Sequence, residues 1–189
     1  MSWNRVGDEL MVRIIVWIMM LLGGGALGLW LDWRWFRPLL INPLFHVVTL
    51  ISGVLLLRWV MRVSRATGRL LARLGREGEV PRMETNRLVV EGAYRCMRHP
   101  MHFGLLFFPW SLALILGSPT FILMIAPLEM IFMIAMIKLV EEPEAIRKFG
   151  DAYRQYQKQV PMFSLRRACL RRLTDEAASE EGVVQSSRE

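Results

Sequence analysis

Two histidines, an arginine and a pair of glutamates are the residues of this sequence best placed to do chemistry. His99 and His102 lie three residues apart and Arg98 precedes them, so a helix would put these side chains on one face. Glu141 and Glu142 close the next apolar segment. Together these groups offer hydrogen-bond donors, a proton acceptor and negative charge. This set suits an organic ligand that carries both an ammonium and a carboxylate group.

The same residue types could also ligate a metal ion. Two histidines with two carboxylates would suit zinc or iron. The three-residue step from His99 to His102 differs, however, from the i, i+4 histidine spacing of a helical zinc site. We therefore predict that the site holds no metal.

A short turn positions the two polar clusters. Gly117-Ser118-Pro119 joins two apolar segments, 100–117 and 119–140, which should therefore run antiparallel. This arrangement brings the histidines and the glutamates to the same membrane face, and we predict the functional site there.

The composition is that of a membrane protein. Hydrophobic residues make up 53% of the 189 residues and the mean hydropathy is positive. We predict an all-α integral membrane bundle of about four transmembrane helices with cytosolic amphipathic helices, one of them C-terminal to the bundle and capping the site. The predicted spans are about 13–31, 39–61, 100–117 and 119–140. They form a single domain, 1–172, and residues 173–189 are expected to be a mobile polar tail.

The distribution of basic residues predicts the orientation in the membrane. Of the 24 lysines and arginines, ten lie between 58 and 98, ten lie from Lys138 onward, and none lies between 99 and 137. This asymmetry places both termini and the middle segment in the cytosol. The lipid surface explains the net charge of +7 better than nucleic acid does, so we predict no nucleic-acid partner. Cys96 and Cys169 should then be reduced thiols.

The residues above belong to two of three motifs that occur in a fixed order along the chain. The chain reads RHPMHFG, then EEP, then FGDAYRQYQKQVP, and over 88–161 it resembles the isoprenylcysteine carboxyl methyltransferase and phospholipid N-methyltransferase superfamily of integral membrane enzymes. It departs from the superfamily pattern at two positions. Ala93 replaces the usual proline, and His102 replaces the usual aromatic residue.

The resemblance implies S-adenosylmethionine as the cofactor and an amphiphile in the bilayer as the methyl acceptor. The acceptor would be a phospholipid amine or an isoprenylcysteine-type carboxylate. The catalytic residues implied are His102 and Glu142. The cofactor-binding residues implied are Tyr94, Arg98, His99, Pro100, Gly104, Glu141, Glu142, Tyr153 and Tyr156. Pro109 and Glu129 are predicted to border the acceptor, since a carboxyl inside a membrane span needs a cavity or a partner.

Two other functions fit the same sequence. Sterol reductases look similar in their C-terminal half, and such an enzyme would bind a nicotinamide cofactor instead. A non-enzymatic membrane assembly factor would need no cofactor. The membrane is expected to be the inner membrane of a bacterium or the endoplasmic reticulum of a eukaryote, and the oligomeric state is left open.

Overall fold

The computed structural model describes residues 3–80 and 85–175 of the chain, and none of them lies in a β-strand. The helices are α1 Trp3–Trp35, α2 Arg37–Leu40, α3 Pro43–Leu74, α4 Pro100–Leu105, α5 Phe108–Leu116, α6 Ala126–Met136, α7 Glu142–Phe149 and α8 Asp151–Gln159. A last helix, α9, covers residues 167–175. The predicted tail lies almost wholly outside the described residues and stays a prediction, as does the single domain.

Three of the described segments are long and apolar enough to cross a membrane: Met11–Trp35, Pro43–Leu74 and Phe121–Phe149. A shorter apolar segment covers Pro100–Leu116. These findings confirm the predicted all-helical fold with three to four helices that can span a bilayer. The first three of these helices extend beyond the predicted spans. In particular, α3 continues to Leu74, well past the predicted end of the second span at residue 61.

Prolines explain where the apolar helices change geometry. Pro109 has no N–H to donate to the carbonyl of Leu105, and the chain turns between α4 and α5 at residues 106–107. The long C-terminal span contains two π-helical turns, Phe121–Ile125 and Ile137–Glu141. Each ends two residues before a proline, at positions 127 and 143. Each π-helical turn is wider than an α-helical turn, and it accommodates the proline that follows, which has no N–H for the regular helical hydrogen bond.

The described chain divides into two compact units. The first comprises Met1–Leu57 and Phe108–Met133. Within it, the fully buried Asp32 at the end of α1 accepts hydrogen bonds from the backbone N–H of Thr120, at 2.8 Å, and from the hydroxyl of Ser118. Asp32 thus caps the N-terminus of the helical segment that begins near Thr120.

Small residues allow close helix packing in the first unit. A Cβ at Gly24 would lie 2.8 Å from Glu129 Oε1, and one at Gly25 would lie 3.3 Å from a Leu116 methyl group, whereas Gly23 has open space. Close helix packing therefore requires a small residue at two of these three consecutive glycines. His46 is a packing residue as well, because its Nε2 lies 2.6 Å from the carbonyl oxygen of Leu40.

The second unit comprises Arg58–Phe107 and Ile134–Glu189. Its hydrophobic core consists of Val63, Ala93, Met97, Phe103, Cys169 and Leu173. Cys96 and Cys169 form a disulfide, with their Cα atoms 5.5 Å apart. The prediction of reduced thiols is therefore wrong. It rested on the compartment alone, while the fold packs α9 against the segment that carries Cys96.

Gly53 gives a test of the packing in the first unit. A Cβ there would lie 2.8 Å from the backbone nitrogen of Ile115 and 2.9 Å from the backbone oxygen of Ser111, which a side-chain movement cannot relieve. We expect Gly53→Ala to destabilise the protein by about 1 to 3 kcal/mol. The measurement is the thermal unfolding midpoint in detergent. Gly23→Ala is the matched control and should leave the midpoint unchanged or raise it, since alanine favours a helix over glycine. Equal midpoints for Gly53→Ala and the wild type would contradict the close contact.

Candidate functional site

Two tyrosines fix the segment that leads into the histidines. Gly92–Arg95 forms a 3-10 turn that begins with a positive φ of 58° at Gly92, which favours glycine. Tyr94 is buried in this turn, and its backbone oxygen accepts a hydrogen bond from the hydroxyl of Tyr156 in α8. The Tyr94 hydroxyl in turn donates to the carbonyl oxygen of Thr67 in α3 at 3.4 Å. Helices α3 and α8 thus hold the turn from two directions.

Arg98 makes polar contacts with three residues of the second unit. Its Nε and Nη2 donate to Oε1 of Glu142 at 2.8 and 2.5 Å, and its Nη1 donates to the carbonyl oxygens of Val160 and Gln157 at 2.5 and 3.3 Å. Gln157 also donates from Nε2 to Oε2 of Glu142 at 3.1 Å. Both charged side chains are about nine-tenths buried. Charge-assisted hydrogen bonds of this kind hold a carboxylate in one orientation.

Glu141 faces the two histidines. His102 Nε2 lies 3.1 Å from Glu141 Oε1, and His99 Nδ1 lies 3.8 Å from Glu141 Oε2. The other ring nitrogen of His99, Nε2, is buried 3.5 Å from Glu142 Oε1 and has no hydrogen-bond partner among the described residues. The two adjacent glutamates therefore have different partners. Glu142 forms an ion pair with Arg98, and Glu141 faces His102 and His99.

A cavity of about 220 Å³ lies beside these groups. Seven residues predicted for the site line it: Tyr94, Arg98, His99, His102, Glu141, Tyr153 and Tyr156. Glu142 is not among the lining residues, because it lies behind Arg98. Pro100 is buried at the start of α4, and a Cβ at Gly104 would lie 2.8 Å from the hydroxyl oxygen of Ser64, so both shape the packing of the site.

The sequence prediction missed the remaining lining residues: Leu71, Thr85, Arg87, Leu88, Val89, Met101, Ala145 and Phe149. Ala145 and Phe149 could have been found, since they recur with Tyr153 and Tyr156 at steps of three and four residues, the spacing of one helix face. No pattern in the sequence indicated that the end of α3 and residues 85–89 would contribute to the site.

A sequence profile described as phospholipid methyltransferase matches residues 42–152, more than half of the chain. The chain belongs to the phospholipid methyltransferase family. No curated protein and no solved structure matches it.

Membership of the phospholipid methyltransferase family confirms the resemblance seen in the motifs and assigns methyl transfer to a lipid-like acceptor as the activity. The matched range contains the histidines and the Glu-Glu pair. It ends one residue before Tyr153. The roles of the individual site residues stay predictions.

Burial sets the protonation of two groups of the site. The pKa of His99 is lowered to about 4, chiefly by burial and next by His102, so His99 is neutral at pH 7. Burial, followed by the negative charge of Glu142, raises the pKa of Tyr153 to about 12. The Tyr153 hydroxyl is buried and has no hydrogen-bond partner among the described residues. His99 and Tyr153 thus present unpaired polar atoms beside the cavity, and burying such atoms is costly unless a ligand or water satisfies them.

The geometry also bears on the metal alternative. Ligand atoms of His99, His102 and Glu141 lie within 4.8 Å of one another, and this grouping could hold a metal ion. The predicted absence of metal stays a prediction. Adding zinc to the purified protein and measuring the heat of binding tests it directly.

The two residues predicted to border the acceptor, Pro109 and Glu129, both belong to the first unit. Pro109 is fully buried near the start of α5. Glu129 is 4% exposed and its Oε1 lies close to Gly24, while its Oε2 has no hydrogen-bond partner among the described residues. Their role toward the acceptor stays a prediction.

The lowered pKa of His99 predicts a loss of stability in acid. The His99 side chain binds a proton at its ordinary pKa of 6.5 in the unfolded chain and only near pH 4 in the folded chain, so the unfolding free energy falls as the pH drops from 6.5 to 4. Linkage limits this loss to about 3 kcal/mol. Thermal unfolding midpoints in detergent between pH 7 and 4 should fall less steeply for His99→Gln than for the wild type. The same slope in both proteins would show that His99 is not protonated on unfolding.

Proposed function

We propose that this chain transfers a methyl group from S-adenosylmethionine to the amine of a phospholipid, and that the cavity of the second unit holds the cofactor. The observation that carries the proposal is the pair of unpaired buried polar atoms, His99 Nε2 and the Tyr153 hydroxyl, beside the cavity of a phospholipid methyltransferase family member. They occupy positions that the motifs had already linked to cofactor binding.

The residues present fit the chemistry of the cofactor. S-adenosylmethionine has an ammonium group, a carboxylate and a positively charged sulfonium. Glu141 is the carboxylate that faces the cavity, so it would attract the ammonium or the sulfonium. His99 and Tyr153 could donate hydrogen bonds to the carboxylate or to the ribose. When bound, the cofactor supplies an electrophilic methyl carbon whose bond to sulfur breaks with the electron pair remaining on sulfur.

Arg98 and Glu142 would act mainly by positioning. Four of the five N–H donors of the Arg98 guanidinium already have protein acceptors, which leaves little capacity for a ligand carboxylate. Glu142 is held on both oxygens, by Arg98 and by Gln157. The buried pair would keep His99 and Glu141 in place, and Tyr94 and Tyr156 would support the same segment from the other side.

His102 is the proposed proton acceptor. A phospholipid amine is an ammonium ion at pH 7, so it must lose a proton before its nitrogen can attack the methyl carbon. His102 lines the cavity, and the nearby Glu141 carboxylate, 3.1 Å away, would stabilise the imidazolium that forms. A carboxylate acceptor would need no base. The histidine therefore favours the amine.

The site would face the cytosol, with both termini on that side. This orientation follows from the ten basic residues between 58 and 98 and the absence of any between 99 and 137. Reporter fusions after Arg76 and after Glu189 should both give a cytosolic signal. A signal from the opposite side of the membrane at either position would disprove the orientation.

Two variants separate cofactor binding from proton transfer. Glu141→Gln removes a charge beside a cationic ligand, a contact worth about 1.5 to 3 kcal/mol, so the affinity for S-adenosylmethionine should fall about tenfold or more. His102→Gln should keep that affinity within about threefold but lower the turnover of a phospholipid amine about 100-fold or more. Calorimetry on detergent-solubilised protein measures the affinity, and transfer of a labelled methyl group measures the turnover. The exposed Glu91 provides the control, since Glu91→Gln makes the same charge change at a residue that does not line the cavity.

Three outcomes would count against the proposal. A folded wild type that binds neither S-adenosylmethionine nor its demethylated product excludes the methyltransferase assignment. Binding of a nicotinamide cofactor instead would support the reductase alternative, and binding of no cofactor would support the assembly factor. Unchanged turnover in the His102→Gln variant would show that His102 is not the base, although it would not affect the proposal for cofactor binding.

A further inference from the structure

The cavity has one arginine that the site chemistry does not use. Among the described residues that line it, the arginines are Arg87 and Arg98. The guanidinium of Arg98 is bound to Glu142, Val160 and Gln157. Arg87 is exposed, and within the described residues its side chain has no ion-pair partner. A second positive charge at the cavity is therefore available to a ligand.

The backbone at Arg87 is firmly held. The N–H groups of Asn86 and Arg87 both donate to the carbonyl oxygen of Gly75, at 2.8 and 3.1 Å. The Asn86 side chain forms two more hydrogen bonds with the backbone of Glu77, at 2.8 and 2.7 Å. Arg87 is thus placed at the cavity by the end of α3, which reduces the cost of ordering it around a ligand.

The lining around Arg87 suits an amphiphile. Leu71, Leu88, Val89 and Met101 supply an apolar wall, while His102 and Glu141 supply the polar end. We propose that Arg87 binds the phosphate group of the methyl acceptor, which makes this position selective for amines that carry a phosphodiester. This inference rests on the proposed function. It assigns the acyl chains to the apolar wall, the phosphate to Arg87 and the amine to His102.

The phosphate of the acceptor is a better ligand for Arg87 than the carboxylate of the cofactor is. The unpaired donors His99 and Tyr153 are buried, whereas Arg87 is exposed at the cavity. A headgroup that enters from the lipid surface meets the exposed residue first. The guanidinium can also bind two phosphate oxygens at once, a geometry that lysine does not reproduce.

Binding of a short-chain phospholipid to the purified full-length protein tests the inference without any need for turnover. With dihexanoyl phosphatidylethanolamine as the probe, Arg87→Gln should weaken binding about tenfold or more, the loss expected for one charge-assisted contact. Arg87→Lys should recover part of the affinity. Arg95→Gln is the matched control, because Arg95 is exposed on the same unit and does not line the cavity, and it should bind the probe like the wild type.

A second arm separates the phosphate from the other groups. Hexylamine carries an amine and an alkyl chain but no phosphate, so its binding should be the same in Arg87→Gln and the wild type. The affinity for S-adenosylhomocysteine should also be unchanged. Three results for Arg87→Gln would overturn the inference: an equal loss of affinity for the phospholipid and for hexylamine, a loss of affinity for S-adenosylhomocysteine alone, or no loss of affinity for any of the three ligands. A wild type that binds the phospholipid through Arg87 but binds no cofactor would leave it standing while excluding the proposed function.

Discussion

The buried ion pair between Arg98 and Glu142 is the interaction on which the geometry of the site depends. Removing two charges from water costs several kcal/mol per ion, and the attraction offsets this only when further hydrogen bonds satisfy both groups. Gln157 and the carbonyl oxygen of Val160 supply those bonds. The pair joins three stretches that are distant in sequence, the segment before α4, the start of α7 and the end of α8, so each is positioned relative to the other two.

This pair also explains why two adjacent glutamates can have different roles. Consecutive residues on a helix point about 100° apart, so the two carboxylates approach His99 from different sides, Glu141 near its Nδ1 and Glu142 near its Nε2. Because Glu142 is committed to Arg98, Glu141 is directed at His99 and His102 and lines the cavity. The protein thereby keeps one carboxylate for structure and one for ligand. The Arg-His-Pro and Glu-Glu motifs are parts of one contact surface.

The sequence predicted those parts of the site that form local patterns. The histidines and the glutamates were predicted from their spacing and residue type. Long-range contacts were not predictable in this way. The Cys96–Cys169 disulfide joins residues 73 positions apart, and Arg87 reaches the cavity only because its loop is held at Gly75. The use of Arg98 inside the protein was hidden too, since residue type does not reveal whether a guanidinium is already satisfied.

The π-helical turn at Ile137–Glu141 ends at the first glutamate of the pair and lies directly before Glu142. A π turn is equivalent to one residue inserted into a regular α-helix, and each residue advances the helix by about 100°. The wider turn absorbs the extra residue, so the side chains after it keep the orientation that a regular helix one residue shorter would give them. A further inserted residue would have no second wide turn to absorb it and would rotate every later side chain by that angle. Glu142 would then move out of line with Arg98, so a single-residue insertion at this point would disrupt the site more than many substitutions.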